Sequence, residues 1–302
     1  MTIPNTHRGR IVSGHGRHFI IENNAGERIL AYPRGKRYTG VVGDHIQYEL
    51  SSTSSEAVIT AILPRVNVLF RQDSMRQKFF ASNIDQVLFF VSCFPALNES
   101  QLSRALVACA QENISVHIIF NKIDLPNYLE TKTKLQPYYK MGIPITEVSI
   151  KNADEFLLKR IHKIIRQRIS LIMGPSGTGK SSFLNLLIPD AQAAVAEVSI
   201  ALQSGRHTTT STSLYWVDNT RETGLVDSPG FQEFGLQQIE PPELAGLMPD
   251  IKPHIGECRF YNCTHRHEPH CGVIQASRDG HISANRLEIY QSIMNEISAP
   301  KW

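Results

Sequence analysis

The run Gly174-Pro175-Ser176-Gly177-Thr178-Gly179-Lys180-Ser181 has the glycine, lysine and hydroxyl spacing of a phosphate-cradling loop. Its glycines let successive backbone N–H groups converge on a phosphate, and a helix that starts at the lysine adds its dipole. The flanks suit this role, because the apolar run Ile169 to Met173 reads as a strand and Phe183-Leu184-Asn185-Leu186-Leu187 as a helix. Lys180 is expected to reach the β- and γ-phosphates and Ser181 to ligate Mg²⁺, with Ser182 next to them in the nucleotide-binding run.

Asn121-Lys122-Ile123-Asp124 also follows an apolar run and matches the loop with which GTPases read guanine. A carboxylate at Asp124 can accept from both N1–H and the exocyclic amine of guanine, and adenine offers no such pair of donors. A second base-contacting loop is expected after the next strand, where Ser149-Ile150-Lys151 stands as a Ser-x-Lys variant. Asp227-Ser228-Pro229-Gly230 matches a switch loop, in which Asp227 holds Mg²⁺ through water and the Gly230 amide faces the γ-phosphate. The threonine-rich Gly205-Arg206-His207-Thr208-Thr209-Thr210 lies between the two phosphate motifs, and Thr209 is the residue expected to close the Mg²⁺ shell. Such a segment is ordered by the γ-phosphate and its metal. Phe231 stands where many GTPases place a water-orienting glutamine, and an aromatic ring cannot orient water by hydrogen bonding. His207 is the nearest candidate in sequence to place the water, and with Lys180 and Thr209 it makes up the expected catalytic set. A surface histidine without a role is the competing reading.

Cys258, Cys263 and Cys271 with His265 supply three soft thiolates and an imidazole, the ligand set of a closed tetrahedral Zn²⁺ site. Four protein ligands leave no open position, so the metal is expected to be structural. His267 and His270 are rivals to His265 on spacing. Cys93 and Cys109 sit singly among apolar residues and read as reduced core cysteines.

These residues need a scaffold, and 302 residues allow two or three modules. Hydrophobic residues at 41% and charged residues at 20% fit a soluble globular chain. A net charge of +3 decides nothing about partners by itself. Met1 to Gly14 has no apolar core of a signal peptide and no run is long enough to span a membrane, so a cytoplasmic protein without a membrane partner is expected.

The chain divides by pattern. Residues 1–63 carry short strands at Phe19 to Ile21, Arg28 to Ala31, Asp44 to Tyr48 and Ala57 to Thr60, separated by turn residues, and read as a small OB-like β-barrel, with an SH3-like barrel as the alternative of the same periodicity. Residues 64–84 read as a linker. Residues 85–235 alternate apolar runs with helical stretches at Ser100 to Glu112 and Ala153 to Arg168, which indicates an α/β domain built on a parallel sheet. Ser213 to Val217 and Thr223 to Val226 read as an antiparallel pair. Residues 236–302 are expected to form a mainly α zinc-binding module that ends in a helix from about Ser283 to Ile297. In an ordinary GTPase the phosphate loop comes first and the guanine loop last. Here the guanine loop comes first, so the domain is circularly permuted, and the chain leaving the Asp227 switch runs directly into the zinc module.

This combination resembles the ribosome small subunit-dependent GTPase A family, circularly permuted bacterial GTPases of late small-subunit maturation. The resemblance covers nearly the whole chain and rests on the permuted motif order, His207-Thr208-Thr209-Thr210, Cys258-Arg259-Phe260 and the Pro64 to Arg71 run. It implies a GTP hydrolase stimulated by the small (30S) ribosomal subunit, cycling between GTP and GDP, with a barrel that binds rRNA. A monomer is expected. Arg8, Arg10, Arg17, Arg34, Lys36 and Arg37, then Arg65, Arg71, Arg76 and Lys78, are interleaved with Tyr32 and Tyr38 and suit RNA. A solvated basic surface is the competing reading. An RNA-binding scaffold with GTP as a structural ligand, a zinc-finger regulator and an ATPase are the rival functions.

Overall fold

The computed structural model describes residues 6–16, 18–35, 39–51, 55–72, 77–189, 212–228 and 235–299. Five strands make the N-terminal barrel: β1 (Thr6–His15), β2 (His18–Asn23), β3 (Arg28–Pro33), β4 (His45–Leu50) and β5 (Ala57–Ile62). They close in the order β1-β2-β3-β5-β4 and back to β1, with β3 parallel to β5 and the other pairs antiparallel. The inward residues Ile11, Ile21, Ala31, Ile46 and Ile59 are buried and fill the barrel.

The sequence reading left β1 unplaced, and that strand does double duty. Thr6 to Arg10 pair with β4, whereas Ser13 and Gly14 pair with β12 (Thr212–Trp216) of the central domain. A register shift between Ile11 and Ser13 lets one strand bend from the barrel into the neighbouring sheet. The result is a continuous sheet of 11 strands.

Residues 64–84 are more than a connector. They contain an antiparallel ribbon of β6 (Val68–Gln72) and β7 (Gln77–Ser82). Arg65 fastens its start to the barrel, with Nε donating to Asp44 Oδ1 at 2.7 Å and Nη2 to Oδ2 at 2.8 Å.

The central sheet runs β10 (Ile145–Glu147), β9 (Ser115–Asn121), β8 (Gln86–Ser92), β11 (Ile169–Met173), β13 (Gly224–Asp227), β12. All neighbours are parallel except the β12–β13 pair, as the apolar runs indicated. Helices cover both faces, which explains why the strand residues are apolar without alternation. Val87, Phe89 and Val91 of β8 share a core with Leu102 and Ala105 of α1 (Glu99–Gln111). Leu88 and Phe90 point the other way, to Ile161 and Ile165 of α3 (Glu155–Ile165) and Phe183 of α4 (Lys180–Leu187).

Helix α2 (Tyr128–Lys140) was not foreseen. It contains Pro137 and buries only Thr131, Leu135 and Tyr138, a stripe too narrow to stand out from its charged neighbours. After residue 235 come two 3₁₀ segments, Pro241–Leu247 and Lys252–Glu257, then the helices Gly272–Arg278 and Ala284–Ile297. Ser283 caps the last helix by accepting from the Arg286 amide. Arg286 is 1% exposed and anchors the module to the central domain. It forms a two-point pair with Asp250 at 2.7 and 2.9 Å, donates to Ser103 of α1 and lies over the Tyr138 ring of α2.

Candidate nucleotide site and metal centre

Parallel strands deliver their following loops to one edge of the sheet, and that edge is where α/β folds bind ligands. β11 is followed by the phosphate loop, β9 by Asn121 to Asp124, β10 by Ser149-Ile150, and β13 by the Asp227 turn. Motifs more than 100 residues apart in sequence therefore meet because their strands are neighbours.

Backbone geometry explains the glycines. Gly174 has φ +135° and a Cβ there would lie 2.4 Å from the Phe90 carbonyl oxygen, so only glycine lets the loop leave β11 beside β8. Gly179 precedes α4 at φ +103°, and its Cβ would stand 2.2 Å from Asn121 Nδ2. The phosphate loop and guanine loop are thus packed directly against each other.

Asn121 is buried and acts as the bridge. Its Nδ2 donates to Thr178 O at 2.9 Å, and its Oδ1 accepts from the Ile150 amide at 3.1 Å. Lys122 takes a left-handed φ of +63°, a conformation that persists when surrounding contacts over-determine it. Its Nζ donates to Phe94 O at 2.7 Å and Gly177 O at 2.6 Å, clamping the guanine loop to the phosphate loop. Phe94 and the carbonyl partners were missed in the sequence, where main-chain acceptors leave no signature.

Asp124 is exposed, and Ser149 donates to its Oδ1 at 2.5 Å. That hydrogen bond, with a backbone one, holds the carboxyl below its ordinary range, so Asp124 is an ionised acceptor. Within the phosphate loop, Lys180 Nζ donates to Pro175 O at 2.7 Å, and Thr178 Oγ1 donates to the same oxygen at 2.9 Å. Ser176, Gly177, Ser181 and Ser182 are exposed around that turn. Burial pushes the Asp227 carboxyl up, and the Lys180 ammonium opposes the shift. Burial also lowers Lys180, against the attraction of Asp227. Gly230, Phe231 and the whole segment Gly205 to Thr210, with His207 and Thr209, lie outside the described residues. Their flanks are described: Thr212 Oγ1 and Ser228 Oγ lie 3.1 Å apart.

The family model described as RsgA GTPase matches residues 62–237. The chain belongs to this family. A protein of Variovorax paradoxus named small ribosomal subunit biogenesis GTPase RsgA is 46% identical over 98% of this chain and 94% of its own. The Bordetella pertussis protein of the same name is 43% identical over 98% of both chains. The crystal structure of YjeQ from Thermotoga maritima superposes with a TM-score of 0.74 at 28% identity, covering 98% of this chain and 99% of the other. YloQ, described as a circularly permuted GTPase, gives 0.69 at 25% identity, covering 100% of this chain and 99% of the other. The permuted order read from the motifs is thereby the order of a known fold.

The second site lies in the C-terminal module. One ligand atom from each of Cys258, Cys263, His265 and Cys271 falls within 4.8 Å of the others. The Cys258 and Cys271 sulfurs are 3.8 Å apart, and His265 Nδ1 lies 3.4 and 3.3 Å from them. Tetrahedral zinc with Zn–S bonds of about 2.3 Å sets sulfurs roughly 3.8 Å apart, so the four residues fit one structural Zn²⁺. His265 is buried, whereas the rivals His267 and His270 are exposed and outside the cluster. Glu268 accepts from the amides of Thr264, Arg266 and His267, and Gln291 of the last helix donates to the carbonyls of His265 and Arg266. Cys93 and Cys109 are buried core residues away from this cluster.

Proposed function

We propose that this chain is a Mg²⁺-dependent GTPase that acts on the small ribosomal subunit late in its maturation. The observation that carries the reading is the junction of the phosphate and guanine loops at Asn121, Lys122 and Gly179, within a chain related over nearly its whole length to small ribosomal subunit biogenesis GTPases. Guanine is read by Asp124 and the Ser149-Ile150 turn. The phosphates are held by the Gly174 to Ser182 backbone and Lys180. Ser181, Thr209 and Asp227 would hold Mg²⁺, which neutralises charge on the phosphate oxygens. His207 positions the attacking water on the small subunit, since Phe231 cannot. One Zn²⁺ on Cys258, Cys263, His265 and Cys271 fixes the C-terminal module.

rRNA is the partner of the barrel, and the cations divide into two groups. Arg8 and Arg34 are exposed and can face phosphates, Arg34 from an exposed pair with Glu49 at 3.8 Å. Arg10 lies over Trp216 and Arg65 is paired with buried Asp44, so these two serve cohesion of the fold. Arg17, Lys36, Arg37, Tyr38 and Arg76 lie outside the described residues. The protein works as a cytoplasmic monomer, with residues 1–63, 85–235 and 236–302 as its three units; among the described residues no helix is long and apolar enough to cross a membrane.

Sedimentation with purified ribosomal subunits in GTP, GDP and a non-hydrolysable analogue tests partner and switch together. Nucleotide-dependent co-sedimentation with the small subunit is expected. Equal affinity in all three states, or none for that subunit, refutes the reading. Asp124→Asn tests the base site by itself and should shift preference from guanine toward xanthine nucleotides.

A further inference from the structure

Strand β10 is the weakest part of the nucleotide site. It is three residues long, lies at the sheet edge and, among the described residues, pairs with one neighbour, β9, yet it must place Ser149 on Asp124 and the Ile150 amide on Asn121. A strand so short needs something besides its ladder to hold it.

Glu147, the last residue of β10, supplies that hold. Its carboxylate accepts from Tyr128 Oη at 2.5 Å and Tyr139 Oη at 2.9 Å, and lies 3.0 Å from Lys132 Nζ. Lys132 also donates to Tyr128 Oη at 2.7 Å and lies over that ring. All three partners are on α2, the helix that begins four residues after Asp124. Tyr128 in turn stacks on Phe120, which immediately precedes Asn121 and is paired in register with Glu147. The three hydrogen bonds hold the carboxyl below its ordinary range despite burial, so the cluster is charge-assisted.

We propose that Glu147 is a positioning residue for guanine selectivity. It ties the edge strand carrying Ser149 to the helix that follows Asp124, so that the Asp124 carboxylate is held where the guanine exocyclic amine must be read. The inference rests on the assignment of Asn121 to Asp124 as the base site.

The test compares GDP with IDP, which lacks that amine, by titrating each onto the full-length protein with Mg²⁺. In Glu147→Gln the amide can accept from only one tyrosine and no longer pairs with Lys132. The GDP-over-IDP affinity ratio should fall roughly 10-fold, the equilibrium equivalent of a charge-assisted hydrogen bond. KM for GTP should rise while kcat changes little, because the phosphate loop on β11 is separated from β10 by two strands. Glu130→Gln breaks an exposed pair on the same helix and should leave the ratio unchanged. Equal losses for GDP and IDP, or an unchanged ratio, overturn the proposal, since a merely structural residue weakens both. If Glu147→Gln does not fold, Tyr128→Phe combined with Tyr139→Phe keeps the Lys132 pair and is read by the same ratio. Asp124→Asn separates the two ideas: if it leaves guanine selectivity intact, the base-site assignment fails and the role of Glu147 with it, whereas loss of selectivity in Asp124→Asn with an unchanged ratio in Glu147→Gln overturns the role of Glu147 alone.

Discussion

Gly179→Ala is a small change that should disable the nucleotide site without touching a phosphate-binding side chain. Two terms enter. An alanine held at φ +103° costs about 1–3 kcal/mol of backbone strain. Its Cβ also meets Asn121 Nδ2, and that side chain cannot simply move aside, because it is 3% exposed and spends both ends on Thr178 O and the Ile150 amide. Breaking those bonds in a buried place costs about 1–3 kcal/mol more. The sum, about 2–6 kcal/mol, divides between folding and the bound state. The share borne by the site appears as weaker GDP binding, with each 1.4 kcal/mol worth about tenfold, and the rest as a lower Tm. Titration of a fluorescent GDP analogue with a parallel melting curve measures both. Asn121→Ala removes the atom that the new Cβ would strike, so the double variant should be less damaged than the two single losses predict, by about 1 kcal/mol or more. A Gly179→Ala protein with GDP affinity within about threefold of the parent and an unshifted Tm would refute the packing argument, as would strict additivity with Asn121→Ala.

Arg286→Ala should destabilise the protein by about 3 kcal/mol, because it leaves the half-buried Asp250 carboxylate without its partner and removes the contacts to Ser103 and Tyr138 that join the C-terminal module to the central domain. Limited proteolysis and a melting curve would show it, and a variant as resistant as the parent would contradict it. Metal analysis of protein purified without chelators should find one zinc per chain, and Cys258→Ala should loosen the C-terminal module while GDP binding persists. Absence of zinc would remove the metal centre. His207→Ala should keep GTP affinity and subunit binding but lose roughly 10²- to 10⁴-fold of subunit-stimulated hydrolysis. Full stimulated turnover would transfer the water-positioning role elsewhere.

The candidate site was legible in the sequence because nucleotide-loop motifs are local. Gly174 to Ser182 and Asn121 to Asp124 are each runs of consecutive residues, and the spacing of Cys258, Cys263, His265 and Cys271 brings four possible ligands together within one short segment. The buried strands were legible for a similar reason, since a strand covered on both faces is apolar at every position, as β8 is. Helix α2 escaped notice because Pro137 and a narrow apolar stripe hide its period. What only the tertiary structure decided is how these pieces meet. Strand order brought Asn121 beside Gly179, and a register shift in β1 joined the barrel to β12, the partner of the strand that leads into the Asp227 turn. The dual attachment of Arg286, the loss of Arg10 and Arg65 to internal pairing, and the convergence of two tyrosines and a lysine on Glu147 were likewise invisible in one dimension. A charged or aromatic residue reads the same in sequence whether it faces water or a partner far along the chain, and packing alone distinguishes the two.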